Sequence, residues 1–84
     1  MNIYLISQDV NNDYDTFDSA VVTAHTEEEA RMIKPSWDSQ IEPWDGKNNE
    51  YGSWCDAKDV KVKLIGKSDI ISEPKIICSS FNAG

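Results

Sequence analysis

Residues 19–35 read SAVVTAHTEEEARMIKP, and this stretch changes its secondary-structure signal halfway. Its first six residues set adjacent Val21 and Val22 between small neighbours, a composition that suits a buried strand. From Thr26 the signal is helical. Thr26 is a good N-cap and Glu29, three places on, completes a capping box. Three glutamates lie in the first turn, where the helix dipole favours them, Arg31 and Lys34 lie in the last, and Pro35 ends the helix. A helix of about two turns does not persist alone in water, so Ala30 and Ile33, with Met32 beside them, are expected to pack against a sheet.

The rest of that sheet is sought on either side. NIYLIS at 2–7 is an apolar run with Ile3 and Leu5 on one face and Tyr4 and Ile6 on the other, which predicts a strand covered on both faces. In DVKVKLIGKS at 59–68, Val60, Val62 and Leu64 alternate with Lys61 and Lys63, predicting a strand with a solvated lysine face that stops at Gly66. KIICSSF at 75–81 predicts a last strand, with Ile77, Ser79 and Phe81 on one face and Ile76, Cys78 and Ser80 on the other. Between helix and third strand, residues 36–57 have no sustained period and form a long loop carrying Trp37, Trp44, Tyr51 and Trp54. The expected fold is α+β. A four-stranded, largely antiparallel or mixed sheet in the order β-β-α-loop-β-β carries one short helix on one face.

The 84 residues fit one domain, 1–84, burying only about 60% of the surface its unfolded chain exposes. Composition excludes several functions. No run approaches the roughly 18 apolar residues of a membrane span, and the N-terminal stretch lacks the basic flank and apolar core of a secretion signal, so a cytoplasmic protein is expected. Cys55 and Cys78 stand far apart with no further cysteine, which suggests two reduced thiols rather than a disulfide framework or zinc site. The net charge of −7 lies entirely in residues 1–42, where nine acids face only Arg31 and Lys34; residues 43–84 carry six acids and six lysines. Such a distribution disfavours nucleic acid and anionic membranes, which require a basic face, and favours a partner with a basic surface.

The acids concentrate in QDVNNDYDTFDS at 8–19. Aligned from Asp9, the residues Asp9, Asn11, Asp13 and Asp15 offer calcium-type oxygen ligands, but Tyr14 stands where that loop requires Gly and Ala20 where it requires a bidentate Glu. No metal and no cofactor is therefore expected. Catalysis by Asp13, Asp15 or His25 ranks last, because the single histidine precedes a helix cap, where a packing role as an N-terminal staple is expected. Neither a nucleophile elbow nor a phosphate-cradling glycine loop is present. Instead the loop is expected to turn tightly on its Asn and Asp residues and to tuck Tyr14 and Phe17 inward.

The stretches YLISQDVNNDYDTFDSAVVTA, EEEARMIKP, WCDAKDVKVKLIG and SSFNAG together resemble a group of small uncharacterised proteins encoded by tailed bacteriophages and prophages. In that group a Tyr-Asp-Thr-Tyr-Asp-Ser-like stretch precedes a strand, and the chain closes on Ser-Phe-Asn-Ala-Gly. Here Phe17 replaces the second tyrosine. The resemblance spans most of the chain except 38–52 and implies a phage setting, but no activity.

Two functional expectations follow. The first is a non-enzymatic phage accessory protein that binds a host protein, such as a component of a defence system. Asp9, Asp13, Asp15, Asp18, Glu27 and Glu28 would steer a basic partner, and Trp37, Trp44, Tyr51 and Trp54 would anchor it. The alternative is a small-molecule binder that sequesters a nucleotide-type signal. In it Tyr14, Trp44 and Trp54 would stack a base, Asp15 and Asp18 would accept from ribose or base donors, and Arg31, with Lys34 and Lys47 in reach, would meet phosphate. Ser79, Ser80 and Asn82 would add hydroxyl and backbone donors.

Overall fold

A computed structural model of the chain describes residues 1–12, 14–48 and 52–82. Four strands form one antiparallel sheet: β1 (Asn2–Ser7), β2 (Thr16–Ala24), β3 (Lys61–Lys67) and β4 (Lys75–Asn82), in the spatial order β3-β1-β2-β4. One short helix, α1 (Glu27–Arg31), follows β2, and a 3-10 turn at Ala57–Asp59 leads into β3. This is the α+β arrangement that the sequence predicts, with every pairing antiparallel.

The register explains which side chains meet. Tyr4 lies opposite Val22 and Ile6 opposite Ala20, so these four share a face, which Ala24 and Ile76 extend. The helix lies on that face and inserts Ala30, Ile33 follows just beyond its C-cap, and the irregular segment adds Trp54 and Cys55. Burying such side chains stabilises by about 1.5–3 kcal/mol each and supplies the tertiary support that a five-residue helix needs. The helix is shorter than expected, ending at a Met32 C-cap rather than running to Pro35, and Met32 is exposed. Thr26 Oγ1 accepts from Glu29 N at 3.1 Å. The return half of the capping box is displaced by one residue, because Glu29 Oε1 accepts from His25 N at 3.0 Å.

Other expectations are corrected. β1 is covered on one face only: Ile3, Leu5 and Ser7 are half-buried, with Leu5 flanked by Lys63 on β3 and Val21 on β2. Nothing in the element order provides a second layer there. β3 runs through Gly66 instead of stopping at it, with a bulge where Ile3 and Tyr4 pair with Gly66 and Leu64. In β4 a bulge beside Val21 and Val22 skips Ile77, so Ile76 shares the core face with Ser79, and simple alternation fails. β2 begins at Thr16, three residues earlier than its valines suggest.

The long segment is held by backbone hydrogen bonds as well as by its aromatics. Ile76 N donates to Ser39 O at 3.0 Å and Ser79 Oγ to Ser36 O at 3.2 Å, laying residues 36–39 along the β4 edge. Phe17 N donates to Ser53 O at 2.8 Å, which carries the segment past the end of β1. At Gly46, with φ of 84°, an added Cβ would press on Met32 and Ala57.

Candidate ligand-binding cleft

The sequence loop at 8–19 is organised by Gln8, a buried residue that the sequence reading passes over. Gln8 Nε2 donates to Asn11 O at 2.8 Å and to Phe17 O at 2.9 Å. Its Oε1 accepts from Val10 N at 2.9 Å and Asn11 N at 2.8 Å. Asn11 Nδ2 in turn donates to Gly52 O and Trp54 O. One buried amide thus closes the turn and fixes it to the aromatic segment.

The described acids of this loop go separate ways. Asp9 Oδ2 accepts from Lys61 Nζ at 2.9 Å, and this ammonium holds the carboxyl below the usual carboxylate range. The Asp18 carboxylate accepts from Ser19 Oγ at 3.3 Å and is exposed. Asp15 adopts the left-handed conformation, φ 62°, with its N–H donating to Asn82 O at 2.6 Å. Asp tolerates this region better than most side chains. Asp13 lies outside the described residues.

Of the two aromatics expected to tuck inward, Phe17 does so and Tyr14 does not: Phe17 is buried and Tyr14 is 74% exposed. Phe17 joins an aromatic group with Phe81, ring centroids 4.8 Å apart, and with Trp37 at 5.7 Å. Trp37 also meets Phe81 at 4.6 Å with an interplanar angle of 63°, an edge-to-face contact of the favoured kind. Despite these contacts Trp37 is 78% exposed. Trp44 is half-buried and its Nε1 donates to Lys47 O at 2.8 Å, which orients the indole.

These rings surround an open cleft of about 460 Å³. Phe17, Trp37, Trp44 and Phe81 supply its apolar lining with Pro35 and Pro43, and Asp15, Lys34, Glu42, Ser36 and Ser53 supply its polar groups. The size lies within the range of small-molecule sites, and the lining sets apolar walls beside polar groups in similar number. Phe17 and Phe81 were not among the expected site residues. Their signal lay in the cross-strand register, where they are partners.

The expected site residues divide accordingly. Trp54 has no exposed surface and belongs to the core, so it serves as neither partner anchor nor base platform. Arg31 is directed to the Val60 and Ala57 carbonyl oxygens and to Glu27, away from the cleft. Glu28 is exposed. Ser79 is tied to Ser36, Ser80 pairs with Ser19, and Asn82 contributes its carbonyl oxygen to Asp15, so these three do not form an anion cup. Tyr51 lies outside the described residues. His25 is exposed and its Nδ1 lies 3.0 Å from Glu29 Oε1, so it is a surface partner of the capping glutamate and not a packed staple. Of the expected residues that are described, Asp15, Trp37, Trp44 and Lys34 converge on the cleft.

Both cysteines are free; Cys55 is buried and Cys78 exposed. Burial, with Asp59 and Asp56 nearby, pushes the Cys55 thiol up to about 11. No helix among the described residues is long and apolar enough to cross a membrane. No family model matches the chain, and neither a curated protein nor a solved structure is similar to it.

Proposed function

We propose that this chain is a non-enzymatic binding protein whose aromatic cleft captures a flat-ring small molecule of nucleotide type. The observation that carries the reading is Trp37, held edge-on by Phe81 and Phe17 while most of its surface stays open beside the polar groups of the cleft. A side chain so apolar gains by covering that surface, and a planar ring does so while leaving hydrogen-bonding edges to Asp15, Ser36 or Ser53. In the phage setting that the sequence resemblance implies, such a protein would work in the host cytoplasm and withdraw a signal from a host defence system. Native mass spectrometry of protein purified from its host, followed by a thermal-shift panel of nucleosides and nucleotides, tests this. A retained small mass or a stabilising panel member is expected; an apo mass and no shift across the panel would overturn it.

A host protein with a basic surface is the second reading. It is supported by the same exposed Trp37 and by the half-apolar open face of the sheet around Leu5 and Val21. Its acidic steering set is less concentrated than the sequence suggests, since Asp9 is paired with Lys61 and Glu27 with Arg31. Affinity capture from host lysate at low and high salt is its test, with loss of any captured protein in Trp37→Ala as the expected result. Capture of the same protein by that variant would count against it.

A further inference from the structure

Three residues that line the cleft, Asp15, Glu42 and Lys34, carry charged groups without an ion-pair partner among the described residues. Among the described residues the ion pairs His25–Glu29, Arg31–Glu27 and Lys61–Asp9 all lie outside the cleft. Two acceptor-only groups and one donor-only group therefore border the same apolar walls. A ligand complementary to all of them has a flat ring, donors on its polar edges, and a single anionic group.

Resting on the small-molecule reading above, we infer that the cleft takes a nucleoside bearing one phosphate, with the base on Trp37, its amino or ribose hydroxyl donors on Asp15 and Glu42, and its phosphate on Lys34. An ammonium on phosphate makes a charge-assisted hydrogen bond, the strong kind. One lysine meets one phosphate. Further phosphates would extend beyond it past two carboxylates on a chain of net charge −7, so triphosphates are discriminated against by like-charge repulsion. A nucleoside without phosphate leaves Lys34 unused. Purine and pyrimidine bases both offer a ring face, and exocyclic amines suit the carboxylates better than carbonyl oxygens, which favours adenosine and cytidine over uridine.

The test is calorimetric titration of the full chain at pH 7 with adenosine, AMP, ATP, UMP and free tryptophan. Tryptophan is a flat zwitterion that also carries both signs of charge. AMP is expected to bind at least about tenfold more tightly than adenosine, since its phosphate gains a charge-assisted hydrogen bond that adenosine lacks. It should also exceed ATP and UMP. Lys34→Ala should bring AMP down toward the level of adenosine, and Asp15→Asn, which still suits the left-handed backbone, should weaken both. Tighter binding of tryptophan than of AMP, or an AMP affinity untouched by Lys34→Ala, would overturn the phosphate assignment while leaving a flat-ring cleft in place. If none of the five binds, the phosphate assignment falls, and the broader panel of the preceding section decides the cleft itself. Circular dichroism of each variant confirms its fold, and Trp37→Ala, at an exposed site, should remove binding of every ligand.

Discussion

Trp54 and Trp37 are chemically identical and only 17 positions apart, yet the structure assigns them opposite roles, and alanine at each should separate those roles. Trp54 is fully buried and belongs to the core cluster with Tyr4, Ile6, Val22, Ala30 of the helix and Ile33 just beyond it. Truncating a buried aromatic ring to alanine costs about 3–5 kcal/mol through lost transfer energy and the cavity left behind. A chain of this length has a total stability of about 4–13 kcal/mol, at roughly 0.05–0.15 kcal/mol per residue, so Trp54→Ala removes a large share of it. Trp37→Ala loses two ring contacts at a mostly exposed site, about 1 kcal/mol. Urea unfolding followed by far-ultraviolet circular dichroism, which does not depend on the removed indole, reads the difference. With a slope of about 1 kcal/mol per molar urea for so small a domain, Trp54→Ala should lower the midpoint by about 3–5 M and Trp37→Ala by about 1 M. Trp54→Phe adds a control. Nε1 of Trp54 meets no acceptor among the described residues, and leaving a buried donor unpaired costs about 1–3 kcal/mol. Phenylalanine removes that donor while keeping a ring, so its loss should be far below that of alanine. Equal midpoints for Trp54→Ala and the parent, or a larger loss at Trp37 than at Trp54, would refute this division of the aromatic segment.

Gln8→Ala should destabilise by about 2 kcal/mol, because the Phe17 carbonyl and the Val10 and Asn11 N–H groups lose their shared partner, and ligand affinity should fall with it; urea titration and calorimetry measure both. Thr26→Ala should cost about 1 kcal/mol through loss of the helix cap, read as a lowered thermal midpoint. Thiol labelling at pH 8 should modify exposed Cys78 rapidly and Cys55 only slowly, as mass spectrometry of the peptides would show. The Cys55 thiol stays protonated in the folded chain to about pH 11 against 9.0 when unfolded, so the folded state holds more protons between these values. Its contribution to stability is complete below pH 9 and lost as the pH climbs toward 11, a decline that Cys55→Ala should flatten. Lys61→Met should return the Asp9 carboxyl to the ordinary carboxylate range, followed by nuclear magnetic resonance titration.

Strand, helix and cap signals in residues 19–35 are local, and they were legible because propensity and capping act within a few residues. The lysine alternation in β3 was legible for the same reason. What was not legible is non-local. The β4 bulge that turns Ile76 toward the core is a property of its pairing with β2, and no period in KIICSSF announces it. The cleft is likewise assembled from positions 15, 17, 34–37, 42–44, 53 and 81, which only the register and the anchoring of Ser36, Ser39 and Ser53 bring together. The clustering of indoles in the aromatic segment is plain in the sequence, but the sequence could not say which indole faces inward. Trp54 lies between a buried cysteine and Ser53, whose carbonyl is tied to Phe17, and that tether decides its direction.

The sheet order β3-β1-β2-β4 has a kinetic consequence. β3 and β4 are consecutive in the chain but occupy opposite edges, so residues 68–74 must travel across the end of the β1–β2 pair, where Thr23 Oγ1 accepts from Lys75 N and donates to Glu73 O. Neither edge strand can template the other; each waits for the central hairpin. Entropy for closing these long loops is lost before any pairing offsets it, which places the domain among slow two-state folders, on a scale of milliseconds to seconds. Phe81 sits on β4, so the wall it gives the cleft forms only when β4 has paired with β2. Ligand capture is therefore a report on β4 docking, and chains that have not yet docked this edge should be blind to the molecule that the finished one retains.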